Sequence, residues 1–292
     1  MDPSSLPSQS PMAELTQLRR RVADLEASLP GPGADYDPLP LATELQELLR
    51  VARARPDARP ELRQLLILLG RVECKRGELA KARDLLSQGL AMDAGTTPDL
   101  NRLTRDHYFL AGVAGDLRNF QVAAEHYGKA VEFSKAATDF DQNQKLGIRE
   151  RFAFALHEVK RYEDACKANL ELLGDAERLF GADDHRLSTV LINTAQNLYA
   201  LKKLAEAQSY LQRALAIALA QSDIEREQDL LYQLAVLASE QGRADEARSY
   251  LAERVLRLDK RGTSKLQDAA RRSLEHFDRN RVRASLKPGG LP

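Results

Sequence analysis

An alanine returns in one setting along this chain, in GELAKARDLL (77–86), NFQVAAEHYG (119–128), RYEDACKANL (161–170), KLAEAQSYLQ (203–212) and RADEARSYLA (243–252). The copies aligned on Ala82, Ala123, Ala165, Ala207 and Ala247 are spaced 41, 42, 42 and 40 residues apart. A period that regular means one supersecondary unit repeated about five times, because a single unit cannot bury its own apolar face and must stack on a copy of itself. The chain therefore reads as a repeat scaffold, whose length counts repeats rather than globular domains.

The repeat is helical. Ala, Leu, Arg, Glu and Gln dominate, aromatic residues are only 5% and tryptophan is absent, so strand formers are scarce. Basic and acidic side chains balance at 43 each, which gives no global pull toward nucleic acid or an anionic membrane. The balance hides an asymmetry: from Arg254 onward there are 11 basic and 4 acidic residues, an excess of seven. That segment reads as a soluble capping helix or as a dock for an acidic partner. Cys74 and Cys166 stand far apart with no CxxC knuckle, as suits a reducing, cytoplasmic setting. The N-terminus lacks the basic and apolar run of a secretory signal, and no stretch is long and apolar enough to span a bilayer.

Residues 1–11 hold three prolines and four serines and predict a disordered tail. In the helix expected over 12–29, Leu15, Leu18, Val22, Leu25 and Leu29 follow three- and four-residue steps. This heptad-like coiled-coil seam either self-associates or packs on the solenoid. Pro30-Gly31-Pro32-Gly33 opens a linker over 30–38, and an N-terminal capping helix follows within 39–60. Repeats fill 61–256, with turns at Gly77, Asn119, Arg161, Lys203 and Gly242 between apolar-periodic runs. Helix starts are signalled by Thr97-Pro98 and by the capping-box pattern Ser222-Asp223-Ile224-Glu225. A C-terminal capping helix over 257–282, with Leu266, Ala269, Leu274 and Phe277 on one side, precedes a tail over 283–292.

These phrases resemble tetratricopeptide repeats, in the long-helix variety found in kinesin light chains. The residues that carry the resemblance are Leu69-Gly70 with Ala82, Leu86 and Leu90, and Leu110-Ala111 with Phe120, Ala123, Tyr127 and Ala130. Phe152-Ala153 with Tyr162 and Ala165, Ala195 and Leu198 with Ala207, Leu211 and Ala214, and Leu234-Ala235 with Ala247 and Leu251 continue it. Asn169, Leu172 and Arg254 depart from the pattern, so their seams are expected to be looser. The usual repeat is about 34 residues, and periods near 42 add about one turn to each helix. The resemblance implies an all-α, right-handed solenoid of about five helix hairpins between capping helices.

Chemistry is hard to find. The five histidines occur singly, with no His-x-x-x-His pair, and neither cysteine has a local base. No enzyme, metal or cofactor is expected, and no nucleic-acid or membrane partner. What the resemblance implies instead is a peptide groove lined by the first helix of each repeat, at Gln64, Arg71, Lys75, Arg105, Tyr108, Glu150, Arg151 and His157, then Asn193, Gln196, Tyr199, Tyr232 and Gln233. Tyrosines among amides and arginines suit an extended peptide, with Asn193 the leading candidate. The expected role is a non-enzymatic adaptor binding a peptide segment or partner helix. Its rivals are a peptide-sensing regulator and an assembly unit that oligomerises through its terminal helices.

Overall fold

The computed structural model describes residues 11–30, 34–93, 98–261 and 263–285. The expected tails before Pro11 and after Ser285, the linker glycines Gly31 and Gly33, and Thr97 lie outside the described residues. Within them the fold is all-α, an α-solenoid of paired helices with no strand. Contacts divide the chain into two compact units, residues 1–155 and 156–292.

Unit one begins with α1 (Pro11–Ser28) and α2 (Pro38–Arg53), followed by the hairpin α3 (Arg59–Lys75) and α4 (Leu79–Ala91). A second hairpin pairs α5 (Leu100–Asp116) with α6 (Phe120–Ser134), and α7 (Gln142–Glu158) carries the division between the units. Unit two contains α8 (Tyr162–Phe180), α9 (Ser188–Ala200), α10 (Leu204–Gln221), α11 (Ile224–Glu240), α12 (Ala244–Arg261) and α13 (Ser264–Ser285).

Each hairpin turns in the same way. A residue with positive φ stands five positions before each seam alanine: Gly77, Arg118, Lys160, Lys202 and Gly242, with φ between 57° and 81°. The next residue then donates its N–H back into the first helix, as Glu78 does to Glu73 O at 3.0 Å and Lys203 to Leu198 O at 2.9 Å. This is the left-handed C-cap that satisfies orphan carbonyls where a helix ends. The seam alanines follow one turn later and are 0–1% exposed. Only a methyl group fits at such a crossing, so Ala207→Leu is expected to overpack the α9–α10 seam and cost about 1–3 kcal/mol, read as a lowered urea midpoint by circular dichroism. Close approach also explains two helical glycines. A Cβ at Gly70 would lie 2.7 Å from Leu86 Cγ, and one at Gly89 2.8 Å from Ile67 Cδ1.

The N-terminal seam has an intramolecular partner. Leu15, Leu18, Val22 and Leu25 are at most 5% exposed, in one core with Leu45 and Leu49 of α2 and Leu65 and Leu68 of α3, and Leu29 is partly buried against it. Arg55 to Glu14 (3.0 Å) and Arg19 to Glu61 (2.9 Å) pin the helix down. Of the two expectations for this seam, packing on the solenoid is the one seen, and these side chains are out of reach of a second copy while α1 is docked. Two other expectations change. Ser222 ends α10 with φ 56°, and Asp223 is the cap that accepts from Arg226 N at 3.1 Å. On α13, Leu266 is 37% exposed while Ala270 is fully buried. At the departures from the repeat pattern, the amide atoms of Asn169 and Nε of Arg254 are buried without hydrogen-bond partners.

Candidate binding grooves on the two units

In unit two, α11 buries Leu230, Leu231, Leu234 and Ala235 but leaves Tyr232 47% and Val236 37% exposed. Their four-residue spacing puts both on one face of the helix. With Gln196 and Tyr199 of α9, Gln233 of α11, and His157 and Tyr162, they line a groove of about 640 Å³. A second depression of about 780 Å³ shares Tyr232 and Val236 and is walled by Arg272, His276 and Phe277 of α13.

The polar groups here are held in place. Asn197 Nδ2 donates to Asn193 O at 2.9 Å, which turns Asn197 Oδ1 toward His157 Nδ1 at 2.8 Å. That contact assigns the imidazole proton to Nδ1 and leaves Nε2 as the acceptor. The His157 ring packs edge-on against Tyr162 at 5.3 Å. Tyr199 Oη donates to Glu240, and this bond raises the phenol's pKa. The Arg254 guanidinium lies 5.4 Å from the Tyr232 ring, its pKa lowered by burial.

In unit one, a cavity of about 390 Å³ is lined by Tyr108, Phe109, Phe120, Tyr127 and Phe154, with Gly112 and Gly115 in its α5 wall and Arg151 and Asp116 also lining it. A smaller one of about 300 Å³ shares Cys74 and Phe109 and adds Arg71, Lys75 and Tyr36. Arg71 stands 5.4 Å from the Phe109 ring.

Residues 146–220 match a model of the tetratricopeptide repeat. The hairpins share their fold with proteins of tetratricopeptide-like repeats. BtubC (BKLC) from P. vanneervenii is 19% identical at a TM-score of 0.52, covering 94% of this chain and 95% of that one. The apo form of RapI is 16% identical at 0.56, covering 73% and 83%. A putative kinesin light chain from Podosopora anserina with nearly identical TPR-like repeats is 16% identical at 0.53, covering 72% and 96%. At such identities the likeness is one of fold. The search of curated proteins finds no match.

The tetratricopeptide-like framework places the expected groove residues unevenly. His157, Gln196, Tyr199, Tyr232 and Gln233 meet in one groove. Asn193 does not line it; the side chain is half-buried, and its carbonyl orients Asn197. Tyr108 and Arg151 line the aromatic cavity. Arg105 faces Asp139 at 3.5 Å and lines neither cavity, and Glu150 is half-buried outside both. Gln64 and Lys75 are tied to the N-terminal segment: Gln64 donates to Glu26 of α1, and the exposed Lys75 donates through Nζ to Ala34 O at 3.0 Å, near Tyr36. Sequence reasoning missed Val236, Phe154 and the glycine pair. The i, i+4 step from Tyr232 to Val236 was the available signal. Among the described residues no group of three His, Cys, Asp or Glu side chains is arranged to hold a metal ion, and no helix is long and apolar enough to cross a membrane.

Proposed function

We propose that this protein is a non-enzymatic, cytoplasmic adaptor that holds a peptide segment or partner helix against the aromatic and amide face of unit two. The observation that carries the reading is the exposure of Tyr232 and Val236 beside Tyr199, Gln196 and Gln233. Tyrosines supply flat apolar contact with a polar end, and the glutamine amides offer both a donor and an acceptor to a peptide backbone. The tetratricopeptide-like fold is a protein-interaction scaffold, and the free thiols of Cys74 and Cys166 agree with a reducing compartment.

The test is an affinity capture from native cytoplasm with mass spectrometry, run on wild type and on Tyr199→Ala/Tyr232→Ala. Truncating a central tyrosine in an interface costs about 2 kcal/mol or more, so the true partner is expected to fall at least tenfold in the variant. Partners retained at wild-type level would remove this groove from the interaction.

A further inference from the structure

The repeat has a second fixed position, seven residues after each seam alanine. Gly89, Ala130, Leu172, Ala214 and Arg254 occupy it in turn, each 22 residues beyond a counterpart on the first helix of its repeat. Gly89 shows what the position faces, since a Cβ there would lie 2.8 Å from Cδ1 of its counterpart Ile67. The first four residues are small or apolar, and all are buried. The fifth is a half-buried arginine, and its guanidinium carbon lies 5.4 Å from the ring centre of its counterpart Tyr232.

Exposure on the first helix follows the size of this residue. Ile67, whose counterpart is glycine, is 4% exposed. Tyr108, whose counterpart is Ala130, is half-buried and edge-on to Tyr127 at 5.6 Å. Tyr232, whose counterpart is Arg254, is 47% exposed. The two tyrosines are the same side chain at the same repeat position with different residues behind them, and an overfilled seam relieves itself by displacing a neighbour.

Arg254 is also costly where it stands. Its Nε is buried without a hydrogen-bond partner, and burial lowers its pKa against the opposing charge of Asp229. A buried orphan donor calls for an explanation, since alanine serves the same position in repeats two and four. The contact with the Tyr232 ring offsets part of the cost. Arg254 lines neither depression of unit two, whereas Tyr232 lines both.

We propose that Arg254 is a positioning residue: wedged into the α11–α12 seam, it lifts Tyr232 out of that seam and holds the ring as the shared rim of the two depressions. What the raised ring is for rests on the unit-two groove being a binding face, but the lift itself does not.

Hydroxyl-radical footprinting of the full chain, read by peptide mass spectrometry, reports the solvent exposure of each tyrosine ring. In wild type Tyr232 is expected to oxidise faster than Tyr108. In Arg254→Ala its rate should fall at least about twofold, to the Tyr108 level, as the ring sinks into the vacated seam. Arg254→Lys, which keeps length and charge, should hold the wild-type rate. Since alanine is native at this position in two other repeats, Arg254→Ala should fold, with a thermal midpoint no lower than wild type. A merely structural role moves the reading the other way, because a loosened seam exposes Tyr232 and raises its oxidation. A Tyr232 rate that is unchanged or raised in Arg254→Ala, or that falls as far in Arg254→Lys, would overturn the proposal. Partner capture with Tyr199→Ala/Tyr232→Ala stays a separate test of the groove. Partners kept by that variant, with the ring shown to sink in Arg254→Ala, would remove the groove and leave the positioning role standing. Partners lost by it, with Tyr232 oxidation unchanged in Arg254→Ala, would overturn the positioning role alone.

Discussion

Replacing Arg63 with methionine is expected to cost about 3–5 kcal/mol, the usual penalty for stranding a buried charge. Arg63 of α3 is 6% exposed. Its guanidinium holds Asp93 beyond α4 in a two-pronged contact at 3.1 and 2.8 Å and also donates to Asp106 of α5. Arg102 meets the other side of Asp93 at 2.9 Å, so Asp93 keeps a hydrogen-bonded partner in the variant while Asp106 keeps only the charges of Arg102 and Arg71 at longer range. Burial already raises the Asp106 pKa, with Arg63 pulling the other way. Without Arg63 that pKa rises further above its unfolded value. The penalty is then smallest at acid pH, where the carboxyl is neutral in both states, and grows as pH rises through the folded pKa. Urea titrations of wild type and Arg63→Met at pH 7 and near pH 4 check both magnitude and slope. The double variant Arg63→Met/Asp106→Leu should recover most of the loss, since an apolar pair can replace a buried ion pair at little cost. A single-variant loss below about 1 kcal/mol would mean that water reaches these charges.

The repeat was legible because its mechanics demand one residue type. The seam alanines sit where two helix backbones approach, so the same small side chain returns once per hairpin. The turns were less legible, and for a physical reason. Gly77 and Gly242 advertise a left-handed residue, but Arg118, Lys160 and Lys202 hold that conformation without glycine, so only the period reveals them. The α1 seam shows the opposite limit. Leucines at three- and four-residue steps specify that a helix face is buried but not what buries it, and α2 and α3 turn out to be the partner.

The same distinction separates the candidate sites. Positions taken from the repeat pattern bring His157, Gln196, Tyr199, Tyr232 and Gln233 together, because equivalent positions on successive first helices share a face. Gln64 and Lys75 are equivalent too, yet each is hydrogen-bonded to the N-terminal segment, and no property of the repeat could foretell that. Gly112 and Gly115 were visible in the sequence. Their meaning depended on whether a neighbour fills the space beside them, which is a fact of tertiary structure.

Acidification should weaken unit one through a pair of stacked histidines. His107 Nδ1 and His126 Nδ1 lie 2.7 Å apart, with ring centres at 5.0 Å and Phe133 packed on His107. In such a contact one nitrogen donates and the other accepts, so the bond survives a proton on the donor ring and is broken once both rings are protonated. Burial first, then the charges of His126 and Lys129, push the His107 pKa down to about 4, against the weaker opposite pull of Asp93 and Glu125. His126 is shifted down as well, again mainly by burial. The unfolded chain takes up these protons near pH 6.5, well above the point at which the folded chain accepts one at His107. Stability is therefore fully present above about pH 6.5 and falls as pH drops toward 4, because the unfolded state binds more protons throughout that window. For His107 alone the difference amounts to about 3 kcal/mol. Since carboxylates titrate in the same range, the informative quantity is wild type minus His107→Phe/His126→Phe, measured by urea denaturation with circular dichroism at pH 7 and near pH 4. The phenylalanine pair keeps the ring packing and removes the titration. Its stability should be lower than wild type at pH 7, where the imidazole hydrogen bond is lost, and should decline by about 3 kcal/mol less on acidification. Parallel pH dependence in the two proteins would show that both histidines titrate normally in the folded state and that their contact opens to water.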